Sequence, residues 1–208
     1  MSKIHFYEPA TGHGLPHDPF KAIVAPRPIG WVSTLSTDGV LNLAPYSFFN
    51  AVSATPPIIA FSSSGRKDSL VNVEATGEFI WNMATRALAE EMNASSARVP
   101  PEVDEFTLAG LETAPSRLVA SPRVAASPAS LECRLLQIVE LHDLDGQPVG
   151  SSVVLGQVVG VHIDRTFLRH GLFDTGAARP IMRAGYRDAY VEATPETMFK
   201  MMRPDPQD

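Results

Sequence analysis

Proline recurs 18 times along this 208-residue chain. Each proline fixes φ and removes a backbone donor, so long helices have little room. Many short strands joined by turns are the expected architecture. Two longer strands stand out in the C-terminal half. From Leu131 to Leu141 the odd positions are Leu, Cys, Leu, Gln, Val and Leu, while the even ones include Glu132, Arg134 and Glu140. From Val153 to Ile163 the odd positions are again mostly apolar, with Gly156, Gly160 and His162 on the other face. This period of two predicts strands with the odd face buried, joined through a turn at Asp145-Gly146. The helices expected over Thr85–Ala97 (Leu88 and Met92 one turn apart) and Val103–Leu108 are too few for a doubly wound sheet. The fold class read from the residues is mainly β, a closed or nearly closed barrel with flanking helices.

In the N-terminal half the elements are short. Ile29–Ser36 reads as a strand, Asp38-Gly39 as a hairpin turn and Val40–Leu43 as the returning strand, broken by Ala44-Pro45. Phe48–Ser53 and Ile58–Ser62 follow as strands, the second compact and buried. Asp68 is the expected N-cap of a helix through Ala75, closed by Gly77. Glu78–Met83 is the next strand. Residues 1–19 form an arm rich in Gly, Pro and His, 20–190 the domain proper and 191–208 a tail.

The formal net charge of −6 argues against a general nucleic-acid binder. A single cysteine, Cys133, permits no internal disulfide and suits a reducing compartment. No signal-peptide pattern and no run of about 20 apolar residues is present, so a cytoplasmic protein without membrane attachment is expected. Cys133 falls on an apolar strand face and reads as an inert buried thiol. His5, His13 and His17 lack acidic or thiol partners at ligand spacing, so no metal site is expected. His162 reads as structural or surface, and His170 has no evident partner. No GxSxG elbow, P-loop or complete dinucleotide fingerprint occurs.

Chemistry concentrates between Pro26 and Asn82. In Ser62-Ser63-Ser64-Gly65-Arg66-Lys67-Asp68-Ser69 a strand ends in hydroxyls, a glycine and two cations just before a helix. That arrangement suits a phosphate cradle; an ordinary capped loop with solvated cations fits the same residues. In Ala44-Pro45-Tyr46-Ser47-Phe48 a broken strand could offer backbone N–H groups and aromatic faces to a flat ring system, or the aromatics could be core. Ser33 and Thr34 on the neighbouring strand could add hydroxyls, or could pair across the sheet.

The ordered set RPIGWVST, DG, NLAPYSFFN, PPIIAFSSS, RKDS and GEFIWN, followed by LECRL, LGQVVGVHID and ARPIMRAGYRDAY, resembles the flavin reductase-like, FMN-binding split-barrel family, over about residues 20–190. Within it the likeness is to the flavoredoxin and nitrilotriacetate monooxygenase reductase-component subgroup. The resemblance implies a Greek-key split barrel, a homodimer and FMN near the subunit interface. It implies that Trp31, Ser33, Thr34 and Ala44–Phe48 flank the flavin. It implies that Ser62, Ser63, Ser64, Arg66, Lys67, Asp68 and Ser69 surround the phosphate, and that Arg183 and Tyr186 close the pocket from the second subunit. The chain departs from the family in carrying Ser69 where many members have Thr, and MRAGYRDAY in place of an RLGG…Y tail. The implied activity is NAD(P)H-dependent reduction of FMN by hydride transfer to flavin N5, feeding a partner monooxygenase. Such chemistry needs no catalytic side chain. The alternatives are an FMN electron carrier with a protein acceptor, or a non-enzymatic flavin sensor.

Overall fold

The computed structural model describes residues 3–204. Seven strands form its main sheet: β1 Gly30–Leu35, β2 Leu41–Tyr46, β3 Phe49–Ala54, β4 Pro57–Ser64, β5 Glu78–Asn82, β6 Ala129–His142 and β7 Pro148–Ile163. They are ordered β2-β1-β5-β6-β7-β4-β3 and every neighbouring pair is antiparallel. β2 and β3 are thus the two outer strands, yet only Ser47 and Phe48 separate them. A flat sheet spaces its strands about 4.8 Å apart, whereas a residue spans at most about 3.6 Å. Two linking residues cannot cross seven flat strands, so the sheet must roll up. The result is a barrel split between β2 and β3.

Helix α1, Asp68–Thr76, carries the chain from β4 back to β5 and buries Leu70 and Val73 among Val32, Tyr46, Phe61, Phe79, Cys133 and Val154. It stops at Gly77, whose φ of +74° suits a residue without Cβ and whose N–H bonds to the Val73 carbonyl. A second core, with Trp31, Leu43, Met92, Phe106 and Val124, packs the outer side of β1 and β2 under helices Ala89–Ala94 and Glu105–Leu108. Arg27–Pro28, Ile181–Arg183 and Tyr190–Glu192 form a separate three-stranded sheet, so ordered structure continues past residue 190. Parts of the expected arm and tail, residues 1–2 and 205–208, lie outside the described residues.

Three expectations are corrected. β2 does not break at Ala44-Pro45; Pro45 pairs with Trp31 inside it, which an outer strand tolerates because one side of its backbone needs no partner. Asp68 opens α1 as its first residue, and Lys67 holds the cap position with extended backbone and no side-chain cap. The buried face of β7 is the even one: Val154 is fully buried and Val158 nearly so, while Val161 is 60% and Ile163 41% exposed. The cause is Gly156. A Cβ there would stand 2.4 Å from the Phe79 ring, so the ring occupies the space an inward side chain would need. The inward face therefore carries a glycine between Val154 and Val158 and reads as the less apolar of the two in sequence. Register shifts between β6 and β7 also break the strict alternation of β6, and Glu132, on its supposedly polar face, is fully buried.

Candidate functional site: a groove on the outer face of β3, β4 and β7

Side chains alternate along β4. Phe61, paired with Phe49, points into the barrel and is 1% exposed. Ala60 pairs with Asn50 on one side and Leu155 on the other, Ser62 pairs with Val153, and Ser64 with Ser151. Residues at these alternate positions share a face, so Ala60, Ser62 and Ser64 form an outward stripe. Over it lies a groove of about 360 Å³, walled by Val24, Pro26, Arg27, Pro28, Ser47, Phe48, Asn50, Val52, Ala60, Ser62 and Val153.

Arg27 closes one end. It is 6% exposed, and its Nη1 donates to the carbonyls of Lys21 and Val24. Its Nε is buried and has no partner. The guanidinium carbon lies 5.8 Å from the Phe48 ring centroid. Burial, and then the neighbouring Arg183, hold its pKa below the usual arginine range.

Beyond Ser62 the stripe leads to the loop before α1. Gly65 adopts φ +78°, and its N–H bonds to the Gly150 carbonyl at 2.8 Å. Ser64 and Lys67 are exposed, and the Lys67 ammonium sits 5.7 Å from the Tyr46 ring centroid. Arg66 is already paired, its Nη2 2.5 Å from Glu74 Oε2. The first N–H groups of α1 have no helical acceptor.

Of the residues singled out from sequence, Ser47, Phe48 and Ser62 line the groove. Others make their contacts within the fold. Trp31 is fully buried and its indole donates to Ser95 Oγ at 2.9 Å. Ser33 donates to the Pro122 carbonyl. Thr34 and Ser69 both donate to Asn42 Oδ1. The Asn42 amide in turn donates to both oxygens of Glu105, a buried carboxyl that desolvation pushes above the usual range. The Ser63 hydroxyl donates to the Gly65 carbonyl. Ala44 packs against the barrel core, and the Tyr46 ring lies tilted against Phe61 with centroids 4.8 Å apart, its hydroxyl buried near Ser63 and Ser69. Asp68 is half-buried at the start of α1.

The flavin reductase like domain family matches residues 24–181. The chain belongs to the flavin reductase-like family. An uncharacterized protein of Aquifex aeolicus is 39% identical over 185 residues, 86% of this chain and 90% of the relative. Among solved structures, nitrilotriacetate monooxygenase component B from Bacillus cereus superposes with a TM-score of 0.80 at 29% identity, covering 88% of this chain and 90% of that one. Pseudomonas fluorescens 2-nitrobenzoate 2-nitroreductase superposes with a TM-score of 0.78 at 26% identity, covering 89% and 88%.

This flavin reductase-like chain has a larger depression of about 650 Å³ elsewhere, lined by Arg86, Glu90, Ile181, Arg183, Asp188 and Tyr190 among others. Its rim carries both charge signs, whereas the smaller groove holds a buried cation, Arg27, with an unmet donor. Arg183 reaches the depression, stacked 4.6 Å over Tyr190 and donating to the carbonyls of Tyr186 and Arg187. Tyr186 is 52% exposed and meets His17 edge-on. Arg27, Asn50 and Val153 also line the groove and are not singled out by the sequence. Arg27 stands alone between two prolines, and only the pairing of Arg27 with Arg183 reveals its setting. Among the described residues no group of three or more His, Cys, Asp or Glu side chains is placed to hold a metal. No helix there is long and apolar enough to cross a membrane. Cys133 is buried and its thiol pKa is pushed up by desolvation.

Proposed function

We propose that this chain is a cytoplasmic NAD(P)H-dependent FMN reductase that acts as a homodimer and supplies a partner monooxygenase. The observation that carries this reading is the groove that holds a buried guanidinium without a carboxylate beside an aromatic ring, together with the outward stripe of β4 that runs from it through Ser62 to Ser64, Lys67 and a helix start. Such a groove fits a flat ring with a terminal phosphate. The flavin, when bound, would supply the redox chemistry, accepting a hydride from NAD(P)H at N5.

The chain's own residues bind and orient. Ser47, Phe48 and Asn50 flank the ring, and Ser62, Ser64 and Lys67 take the phosphate. Trp31, Ser33, Thr34, Ala44, Pro45, Tyr46, Ser63, Asp68 and Ser69 brace the walls behind them. Tyr186 closes the groove of the partner subunit, and Arg183 stands behind Arg27 within its own chain. Dimer formation is supported by the outward apolar residues of β7, with Val149 51% and Val161 60% exposed. A second reading keeps FMN bound and passes electrons to an organic or protein acceptor; its support is the likeness to the nitroreductase.

Anaerobic titration of the FMN-loaded protein with NADH and with NADPH tests the proposal. Rapid bleaching of the oxidised-flavin band, with turnover on admitting air, is expected. Bound flavin that stays oxidised with both donors would remove the reductase reading. Lys67→Ala is expected to weaken FMN about 10- to 100-fold, since a charge-assisted phosphate contact contributes about 1.5–3 kcal/mol, and to leave riboflavin unchanged. Arg66→Ala should do less, because Glu74 already occupies that guanidinium. Equal losses for FMN and riboflavin would show that Lys67 does not hold the phosphate.

A further inference from the structure

Two arginines face each other across the small sheet, Arg27 on one strand and Arg183 directly opposite on the next. Like charges placed this way repel. Neither has a carboxylate partner within ion-pair distance among the described residues. Arg183 is balanced by backbone carbonyls and the Tyr190 face. Arg27 Nη1 likewise donates to the carbonyls of Lys21 and Val24, but the side chain is only 6% exposed and its Nε has no acceptor. Leaving a buried charged donor unsatisfied is costly, and the unmet donor belongs to a side chain that lines the groove. The depressed pKa of Arg27, from burial and then from Arg183, agrees with a cation short of negative charge.

The position of Arg27 decides which negative charge it awaits. The phosphate residues proposed above lie beyond Ser62, toward Gly150, whereas Arg27 sits with Pro26, Pro28 and Phe48. Resting on the proposed function, we infer that Arg27, backed by Arg183, favours the reduced ring over the oxidised one. Oxidised flavin is neutral at its ring. Hydride addition brings two electrons and one proton, so one negative charge is added. A fixed, buried cation beside the ring stabilises that charge and makes the bound flavin easier to reduce.

The test is the midpoint potential of protein-bound FMN and riboflavin, by dye equilibration, in wild type, Arg27→Gln, Arg27→Lys and Arg183→Gln. In Arg27→Gln the affinity for reduced relative to oxidised flavin is expected to fall at least tenfold, a drop of about 30 mV per tenfold for a two-electron couple. The drop should be the same with riboflavin, which has the ring but no phosphate. Arg27→Lys should keep most of the wild-type value, and Arg183→Gln should shift it in the same direction by less. Arg183→Gln leaves the Arg27 bonds to Lys21 and Val24 in place, so it gives a reading even if Arg27→Gln does not fold. An unchanged ratio in both glutamine variants overturns the inference. So does a change seen with FMN and absent with riboflavin, which would place Arg27 at the phosphate. Wild-type protein that binds neither flavin overturns the flavin reading itself.

Discussion

Replacing Glu132 by alanine is expected to lower the unfolding free energy by about 3–5 kcal/mol at neutral pH, the range for breaking a buried charged network from one side. The carboxylate is fully buried on the outer side of β6. It accepts N–H groups from Arg117, Leu118 and Val119 at 2.8, 2.6 and 3.0 Å. Nε2 of His162 lies 2.5 Å from its Oε1; an ionised carboxylate only accepts, so Nε2 carries the hydrogen there. Nearby, Glu78 accepts the Ala120 N–H, Asn82 the Val124 N–H, and the Pro122 carbonyl takes the Ser33 hydroxyl. The segment 115–125 is thus held to the barrel largely by side chains, with Glu132 supplying the most bonds. Without it three amides and His162 lose their acceptor together.

The pH dependence has a definite sign. Burial alone would raise the Glu132 carboxyl, but the His162 bond and the Arg117 and Leu118 amides outweigh it and hold it below the usual range. A depressed folded-state pKa adds stability that is complete above the unfolded value, about 4.3, and is lost as pH falls through the folded value. The gap between wild type and Glu132→Ala should therefore be full at neutral pH and narrow in acid. Urea melts at both pH values measure it. A variant within about 1 kcal/mol of wild type at neutral pH, where ordinary surface changes fall, would show that segment 115–125 does not depend on this carboxylate.

The sequence exposes local devices best. The Asp38-Gly39 turn, with Gly39 at φ +83°, and the Gly77 stop of α1 are fixed by residues adjacent in the chain. Elements that depend on distant partners were misread. The inward face of β7 depends on Phe79 filling the place opposite Gly156, which no window around Gly156 contains. Pro45 is tolerated because β2 is an outer strand, a property of the whole sheet. At the candidate site, Ser62, Ser47 and Phe48 could be singled out from the sequence because strand alternation and turn chemistry are local. Ser33, Thr34 and Ser69 look like free hydroxyls in sequence. Their acceptors, Pro122 and Asn42, come from other elements. Arg27 was missed for the converse reason, since an unmet donor is visible only once its surroundings are known.

Ala60→Trp should abolish FMN binding while leaving the fold intact. Ala60 sits on the groove floor between Asn50 and Leu155, pointing away from the barrel core. An indole there would stand in the space between Phe48, Ser62 and Val153, where the proposed ring lies. A ligand site of this kind gains most of its affinity from buried contact with its walls. Filling it is expected to weaken FMN at least about 100-fold, near 2.7 kcal/mol. The side chain faces outward, so unfolding free energy should move by no more than about 0.5 kcal/mol. Flavin fluorescence titration and urea melts on one preparation read both quantities. Wild-type affinity in this variant would place the flavin elsewhere, and the depression beside Arg183 and Tyr190 would become the site to test. Lost affinity together with lost stability would instead show that the floor of the groove is part of the barrel's packing, and Ser62→Trp, one step along the same outward stripe, would then separate the two effects.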